Sequence, residues 1–569
     1  MKALNIAKRL TVTIVLLMNI MPTMGQPKSY RFKHFTTEQG FSFLEVNFNY
    51  IKETMRITSL FILCLLSVFY SCAQQEKSPN IIFILTDDQG WTQTSHLADP
   101  EVKNSISDYY ETPYMDRLAK SGVMFTQGYA PNPICSPTRN SVMFGQNAAR
   151  HIYSEDADWY KKTADWFTIP RVLKKANSNY KTAHFGKWHI AMEPSDAGFD
   201  ENDGMTSNAG GEIYQDGFLV HKDYIESSNE YLRNNNVPNS SNVKKVGKPT
   251  LYWSDENPKD IFGITTRAKN FMNESIGEGK PFYVQLSHYA THLSLVSTKE
   301  TYEYFEGKAE GDRHKSPEFA AMLKDLDTSI GMIMDFVKKA GIEDNTYIFL
   351  MGDNGGRLSF NQMGSVDERR KLIEAHYATE PDRNIPLQDG KHSFYEGGLR
   401  VPFMAVGPGI KSNRVSNTPV TGLDLLPTFA DIGGFVGEFP KEIDGGSMKP
   451  LLMDDKVNEV KRSKEALYFH QSSHRPPRSA VRLGDYKLIK YWSKDNKYEG
   501  TPKVQLFDLS NDLSEEKDLS KKNPEKTQEL ESLLSDFIME TKTVTNRRNI
   551  DGAFYRLMDD LGQQDEPDE

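Results

Sequence analysis

The 569-residue sequence predicts an α/β fold: a large α/β/α sandwich around a mostly parallel mixed sheet, plus a smaller C-terminal domain with a short antiparallel sheet and a helix. Three observations carry this. Four apolar runs stop abruptly at polar clusters, helix-like stretches separate them, and beyond residue 445 the pattern changes to short strand-like runs followed by one amphipathic helix.

The four runs are "NIIFILTDDQGW" from Asn80, "YKTAHFGKWH" from Tyr180, "PFYVQLSHYATH" from Pro281 and "NTYIFLMGDNGG" from Asn345. They lack period-two alternation, as expected of strands buried on both faces of a parallel sheet. Between them, "PYMDRLAKSG", "IPRVLKKA" and "SPEFAAMLKDLDTSIGMIMDFVKKAG" read as helices, the last with apolar residues three to four apart. Alternation of this kind puts helices on both faces of the sheet. Downstream, "VTGLDLLPTFADIGG" reads as a helix closing the large domain and "IDGGSMKPLL" as a linker near residue 445. The runs "EALYFHQ", "SAVRLGDYKLIKYW" and "VQLFDLS", with Gly484-Asp485 as a turn, then read as the small sheet, and a helix follows from about Pro524. The expected organisation is a targeting region over 1–72, a catalytic domain over 79–445, and a smaller domain over 446–569 that ends in the acidic tail "QQDEPDE".

With 68 basic and 78 acidic side chains the net charge is −10, which excludes a nucleic-acid partner. The first seventy residues read as targeting sequence. A second apolar segment, "MRITSLFILCLLSVFYSCAQQ", has the grammar of a signal peptide, so translation is expected to start at Met55. It closes on Ser71-Cys72, which resembles the cleavage and lipidation site of a bacterial lipoprotein; simple cleavage and secretion is the alternative. Cys64 leaves with the signal and Cys72 is removed or lipidated. Cys135 is then the one cysteine of the mature protein, and no intrachain disulfide forms.

In open α/β sheets ligands bind outside the carboxyl ends of the strands. Asp87, Asp88, Lys187, His189, His292, Asp353 and Asn354 all follow strand-like runs and are expected to collect at one edge. Each cluster also has a plain reading, since Asp-Asp and Asp-Asn-Gly-Gly make good turns. In "PICSPTRNSVMFG", residues 133–145, Ser136 is a good N-cap and Pro137 a good first helical residue, so a helix is expected to start there and aim its positive end at an anion.

That stretch resembles the signature of the type I sulfatases, C-x-P-x-R followed by two apolar residues and a glycine, and "YKTAHFGKWH" resembles their second signature. "NIIFILTDDQGW", "GDNGG" and "NIPLQDGKHSFYEGGLRVP" match in the same order. Phe144 and Asn179 depart from the family pattern: a small, polar or basic residue is usual at the first and glycine at the second.

The resemblance implies that Cys135 is a precursor, oxidised by a sulfatase-maturating enzyme to formylglycine, whose aldehyde hydrates to a geminal diol. One diol oxygen attacks sulfur, and the other later loses its proton to re-form the aldehyde and expel sulfate. A thiolate would be trapped as a sulfur-bound sulfonate. The implied metal ligands are Asp87, Asp88, Asp353, Asn354 and the modified Cys135. Their all-oxygen donor set suits calcium, with magnesium as the other choice, rather than zinc. Arg139 would support the diol, and Lys187 and Lys391 would add positive charge around the sulfate. His189 would take the proton that releases sulfate. His292, with Lys391, would serve the leaving group, and His288 competes with His292 for that role.

The function implied is hydrolysis of sulfate esters on a sulfated polysaccharide or oligosaccharide, with algal glycans such as ulvan or carrageenan favoured over glycosaminoglycans. The protein is expected to be exported, in the periplasm or attached to a membrane through a lipid on Cys72. A phosphonate or phosphate ester hydrolase of the same superfamily is one alternative reading, and an inactive glycan-binding lipoprotein is another. The insert from Arg357 to Asp389, the "NNNVPNSSNVKKVG" loop with Lys244, and "QSSHRPPR" with His474 and Arg475 are candidates for the pocket rim.

Overall fold

The computed structural model describes residues 78–154, 159, 166–207, 257–292, 295–357, 383–472, 477–492 and 503–545, and the backbone of 244–245 and 251–253. These residues fall in the compact unit Lys77–Glu569. The targeting region with Met55 and Cys72, most of the insert after Arg357, His474, Arg475 and the acidic tail lie outside the described residues, as does the side chain of Lys244.

The main sheet is built from β1 (Asn80–Thr86), β2 (Val123–Phe125), β3 (Lys181–Gly186), β4 (Glu201–Asn202), β5 (Phe282–Ser287), β6 (Thr346–Gly352), β7 (Phe403–Val406) and β8 (Arg414–Ser416). Its order is β8-β2-β7-β6-β1-β5-β3-β4. β7 runs antiparallel to both its neighbours, and the other pairings are parallel. The four predicted runs form β1, β3, β5 and β6, the centre of the sheet and the half leading to β4. β2, β4, β7 and β8 hold two to four residues each, too short for any periodicity to announce them.

β1 shows why its run is continuously apolar. Ile81, Phe83 and Leu85 face one core, where α2 (Cys135–Phe144), α3 (Ile169–Ala176) and α6 (Leu425–Ile432) supply Val142, Val172, Leu426 and Phe429. Ile82 and Ile84 face the other, against α1 (Pro113–Ser121), α4 (Ile261–Gly277) and α5 (Pro317–Lys339). Both faces are shielded from water, so no polar residue is tolerated until the strand ends. α5 begins where Ser316 accepts a hydrogen bond from the Phe319 amide at 3.1 Å, with Pro317 in the first turn. It also caps α1: Asp327 accepts from the amides of Tyr114 and Met115, at 3.0 and 2.7 Å.

The second sheet, β9 (Leu467–Gln471), β10 (Arg478–Leu483), β11 (Tyr486–Tyr491) and β12 (Val504–Asp508), is antiparallel in sequential order. One face packs on α7 (Pro524–Thr541) through Leu530, Leu534 and Phe537. The other covers Tyr129, Phe394 and Leu399, so this sheet backs the loop that carries Lys391. Lys487, fully buried, pairs with Glu396 at 2.7 Å and Glu515 at 2.6 Å beneath that loop. The stretch read as a linker is packed instead: Ile443, Met448, Leu451 and Leu452 belong to the first core.

Candidate active site

The polar clusters that end the parallel strands converge. Asp87 and Asp88 follow β1, Lys187 and His189 follow β3, His292 lies five residues beyond β5, and Asp353 and Asn354 follow β6. Cys135 and Arg139 come from the first turns of α2, and Lys391 comes from the loop before β7. Asp88 and His189 hold left-handed backbone angles, φ 56° and 53°, of the kind that concentrates at functional sites.

The helix start differs from the expected one. α2 begins at Cys135, with extended Ile134 as its N-cap and no side-chain cap. Pro137 is thus the third helical residue, where the amide has no intrahelical acceptor, so its missing N–H costs nothing. Asn140 Nδ2 donates to the Ser136 carbonyl at 2.8 Å and Thr138 Oγ1 to that of Asn132 at 2.7 Å, which holds the first turn. Gly145 ends the helix at φ 64°. Phe144 lies in the first core, its ring 4.4 Å from that of Trp166 and 5.7 Å from His151, away from the polar centre.

Three buried carboxylates meet three buried cations. Lys187 Nζ is 2.5 Å from Asp87 Oδ2. Arg139 donates to Asp353 Oδ2 through Nε at 3.1 Å and Nη2 at 2.8 Å, and through Nη1 to the Lys187 carbonyl at 2.6 Å. Lys391 Nζ lies 2.7 Å from Asp88 Oδ1 and 3.4 Å from Cys135 Sγ. Asn354 Nδ2 donates to Asp88 Oδ1 at 2.8 Å, and His292 Nε2 stands 3.9 Å from Asp88 Oδ2. His288 is not in this centre: its Nε2 faces Ser329 of α5 at 3.5 Å.

Charge and burial compete at every titrating group. Burial raises the Asp87 carboxyl, but Lys187, His292 and Arg139 outweigh it and hold it well below the usual range. Asp88 is lowered in the same way, chiefly by Lys391 against burial. Asp353 goes the other way, to about 7, because burial and Asp87 together exceed the pull of Arg139 and Lys187. Burial pushes the Cys135 thiol up to about 12, so it is no thiolate at neutral pH. His189 and His292 are held well below the usual imidazole value by burial, then by Lys187 for the first and by Lys391 and Lys187 for the second.

The centre fits a hard cation. Ligand atoms of Asp87, Asp88, Cys135 and Asp353 lie within 4.8 Å of one another. Asp87 Oδ1 and Asn354 Oδ1 are buried acceptors without a hydrogen-bond partner, and a cation bound between such oxygens would satisfy them. Strand-end reasoning missed one neighbour of this centre. Arg357, read as the start of an insert on the pocket rim and not as part of the centre, directly follows the Asp353–Gly356 cluster, and its Nη1 is buried without an acceptor. Its position at the carboxyl edge of β6 was the available signal.

A doubly wound sheet whose strand ends gather carboxylates, lysines and a buried cysteine against a helix N-terminus is the architecture of a hydrolase acting on an anionic ester. The chain belongs to the sulfatase family, whose model matches residues 79–435, and it is a sulfuric ester hydrolase. Residues 389–543 match the family described as N-sulphoglucosamine sulphohydrolase, C-terminal. A sulfatase of Formosa agariphila is 26% identical over 526 residues, covering 81% of this chain and 88% of the relative. The N-acetylgalactosamine-6-sulfatase of Mus musculus is 26% identical over 449 residues, covering 74% of each chain. Among solved structures, Ps i-CgsB in complex with k-i-k-neocarrahexaose superposes with a TM-score of 0.59 at 25% identity, covering 84% of this chain and 97% of that one.

Proposed function

We propose that this enzyme removes sulfate from a sulfated polysaccharide or oligosaccharide after a maturating enzyme has converted Cys135 to formylglycine. The observation that carries this is the buried cluster of Asp87, Asp88, Asp353 and Cys135, with unpartnered acceptors on Asp87 and on Asn354, whose Nδ2 donates to Asp88. Algal glycans such as ulvan or carrageenan are the favoured substrates, a choice supported by the neocarrahexaose named for the similar structure. Asp87, Asp88, Asp353 and Asn354 would hold one divalent cation, calcium before magnesium. When bound it supplies Lewis-acid polarisation of a sulfate oxygen, and the hydrated formylglycine supplies the attacking oxygen.

The remaining work falls to the chain's own residues. Arg139, gripped by Asp353 and the Lys187 carbonyl, and Lys187 itself are fixed cations that need no reorganisation when charge moves onto the sulfate oxygens. Lys391 keeps its proton, because Asp88 and Cys135 overcome its burial, and it serves the leaving-group side together with His292. His189, neutral in this environment, is the base for the proton whose loss releases sulfate. His292 is neutral too and takes up a proton only as a bound anionic ester offsets Lys391 and Lys187; it then passes that proton to the leaving oxygen. The region 1–72 directs export from Met55, with lipid attachment at Cys72, and the catalytic domain gives way to the smaller one near residue 445.

Peptide mass spectrometry across residue 135 of protein from the native host, paired with turnover of aryl sulfate against aryl phosphate, tests this reading. The expected result is loss of the thiol mass in favour of the aldehyde, with sulfate strongly preferred. An untouched thiol in active protein, or a preference for phosphate, would overturn it.

A further inference from the structure

We propose that Arg357 is a specificity-determining residue that binds a second oxyanion of the substrate, a carboxylate or further sulfate close to the ester being cleaved. This rests on the sulfatase reading and narrows the substrate to sugars carrying another acidic group.

The argument begins with an unmet requirement. A guanidinium carries five donors and no acceptor and stays charged at any physiological pH. Nη1 of Arg357 is shut away from solvent and has no hydrogen-bond partner. A buried charged donor of this kind is normally matched by an acceptor. Among the described residues no carboxylate forms an ion pair with Arg357, and the nearby acids are committed. Asp88 is taken by Lys391 and Asn354, and Asp353 by Arg139. Among the described residues, this cation has no anion of its own.

Position says which anion. Arg357 follows Gly356, whose carbonyl accepts from the Lys391 amide at 3.1 Å and from Asn384 Nδ2 at 2.8 Å, while the Arg357 carbonyl accepts from Arg383 Nη1 at 3.4 Å. The backbone bearing Arg357 is therefore tied to the loop bearing Lys391. The guanidinium acts electrostatically on both Asp88 and Lys391. It therefore stands near Asp88 and Lys391, and Lys391 is the residue assigned with His292 to the side where the sugar departs. Planar carboxylate and the oxygens of a sulfate both suit its fork geometry.

The test uses the matured, full-length enzyme and two substrate pairs: a sulfated disaccharide containing a uronic acid against its carboxyl-reduced counterpart, and a disulfated disaccharide against the monosulfated one. The wild type should prefer the acidic member of at least one pair by about ten- to hundredfold in kcat/KM, the range for a hydrogen-bonded charge pair. Which pair responds separates carboxylate from sulfate. Arg357→Ala and Arg357→Gln should both collapse that preference to within about twofold, mainly through KM, and Arg357→Lys should restore part of it. A preference left intact in folded Arg357→Gln, or absent from the wild type, would overturn the role of Arg357 alone. Failure of the wild type to release sulfate from any of the four sugars or from an aryl sulfate would overturn the sulfatase reading, and this inference with it.

Discussion

Lys391 and Cys135 lie 256 residues apart in the chain, and the ammonium of the first stands 3.4 Å from the sulfur of the second. The contact is made by two loops that both lean on the C-terminal sheet. Asn132, three residues before Cys135, donates to the His470 carbonyl at 2.7 Å, and Arg478 donates to the carbonyl of His392, next to Lys391. The second sheet thus fixes the distance between the reactive position and its nearest lysine.

On the proposed mechanism, replacing Cys135 with alanine removes the precursor from which the hydrated aldehyde is made. Turnover of any sulfate ester should fall by at least about 10⁴-fold. The side chain is small and buried at a helix start, so the melting temperature should stay within a few degrees of wild type. Sulfate release and thermal unfolding measured on one preparation check both halves.

His292→Ala should separate substrates by leaving group. A sugar hydroxyl needs a proton as it departs, so kcat/KM on a sugar sulfate should drop by about 10²–10⁴-fold. An activated aryl sulfate, whose leaving oxygen tolerates charge, should lose far less. Equal losses on both would count against His292 as donor and return attention to Lys391.

Cation binding should release protons with a definite pH dependence. The Asp353 carboxyl sits at about 7 without a cation, chiefly through burial and then Asp87. Its folded value lies above the unfolded one of roughly 3.9, so the cation-free fold holds an extra proton in that window, and this contribution to stability is lost as pH rises toward 7. A cation requires the carboxylate, so binding must expel the proton. Adding calcium to chelated protein in weak buffer should release about half a proton per site at pH 7 and almost none at pH 9. Asp353→Asn should release none from this position, and chelation of the wild type should abolish sulfate release.

Phe144 offers a stability test away from the chemistry. Its ring is fully buried against Trp166 and His151. Phe144→Ala leaves a cavity beneath α2 and should cost about 3–5 kcal/mol, read as a lowered melting temperature. A change of under about 1 kcal/mol would mean the aromatic cluster collapses into the space.

By itself the sequence determined the central strands, the helices between them, the small antiparallel sheet, and which polar residues sit at strand ends. Each of these is a local pattern: a strand covered on both sides must be apolar until it stops, and where it stops the chain can carry charge. Short strands such as Phe403–Val406 left no such pattern, because pairing with neighbours already in place, rather than periodicity, holds them in the sheet. Only tertiary structure decided what the polar residues do together. His288 and His292 follow the same strand, and only the resemblance to the family's spacing favoured His292; in the fold one turns to Ser329 and the other to Asp88. The helix begins at Cys135 rather than beyond Ser136, with Ile134 extended as its N-cap. Asp353 is raised while Asp87 and Asp88 are lowered because the balance of burial and charge depends on distances of a few ångströms between segments hundreds of residues apart.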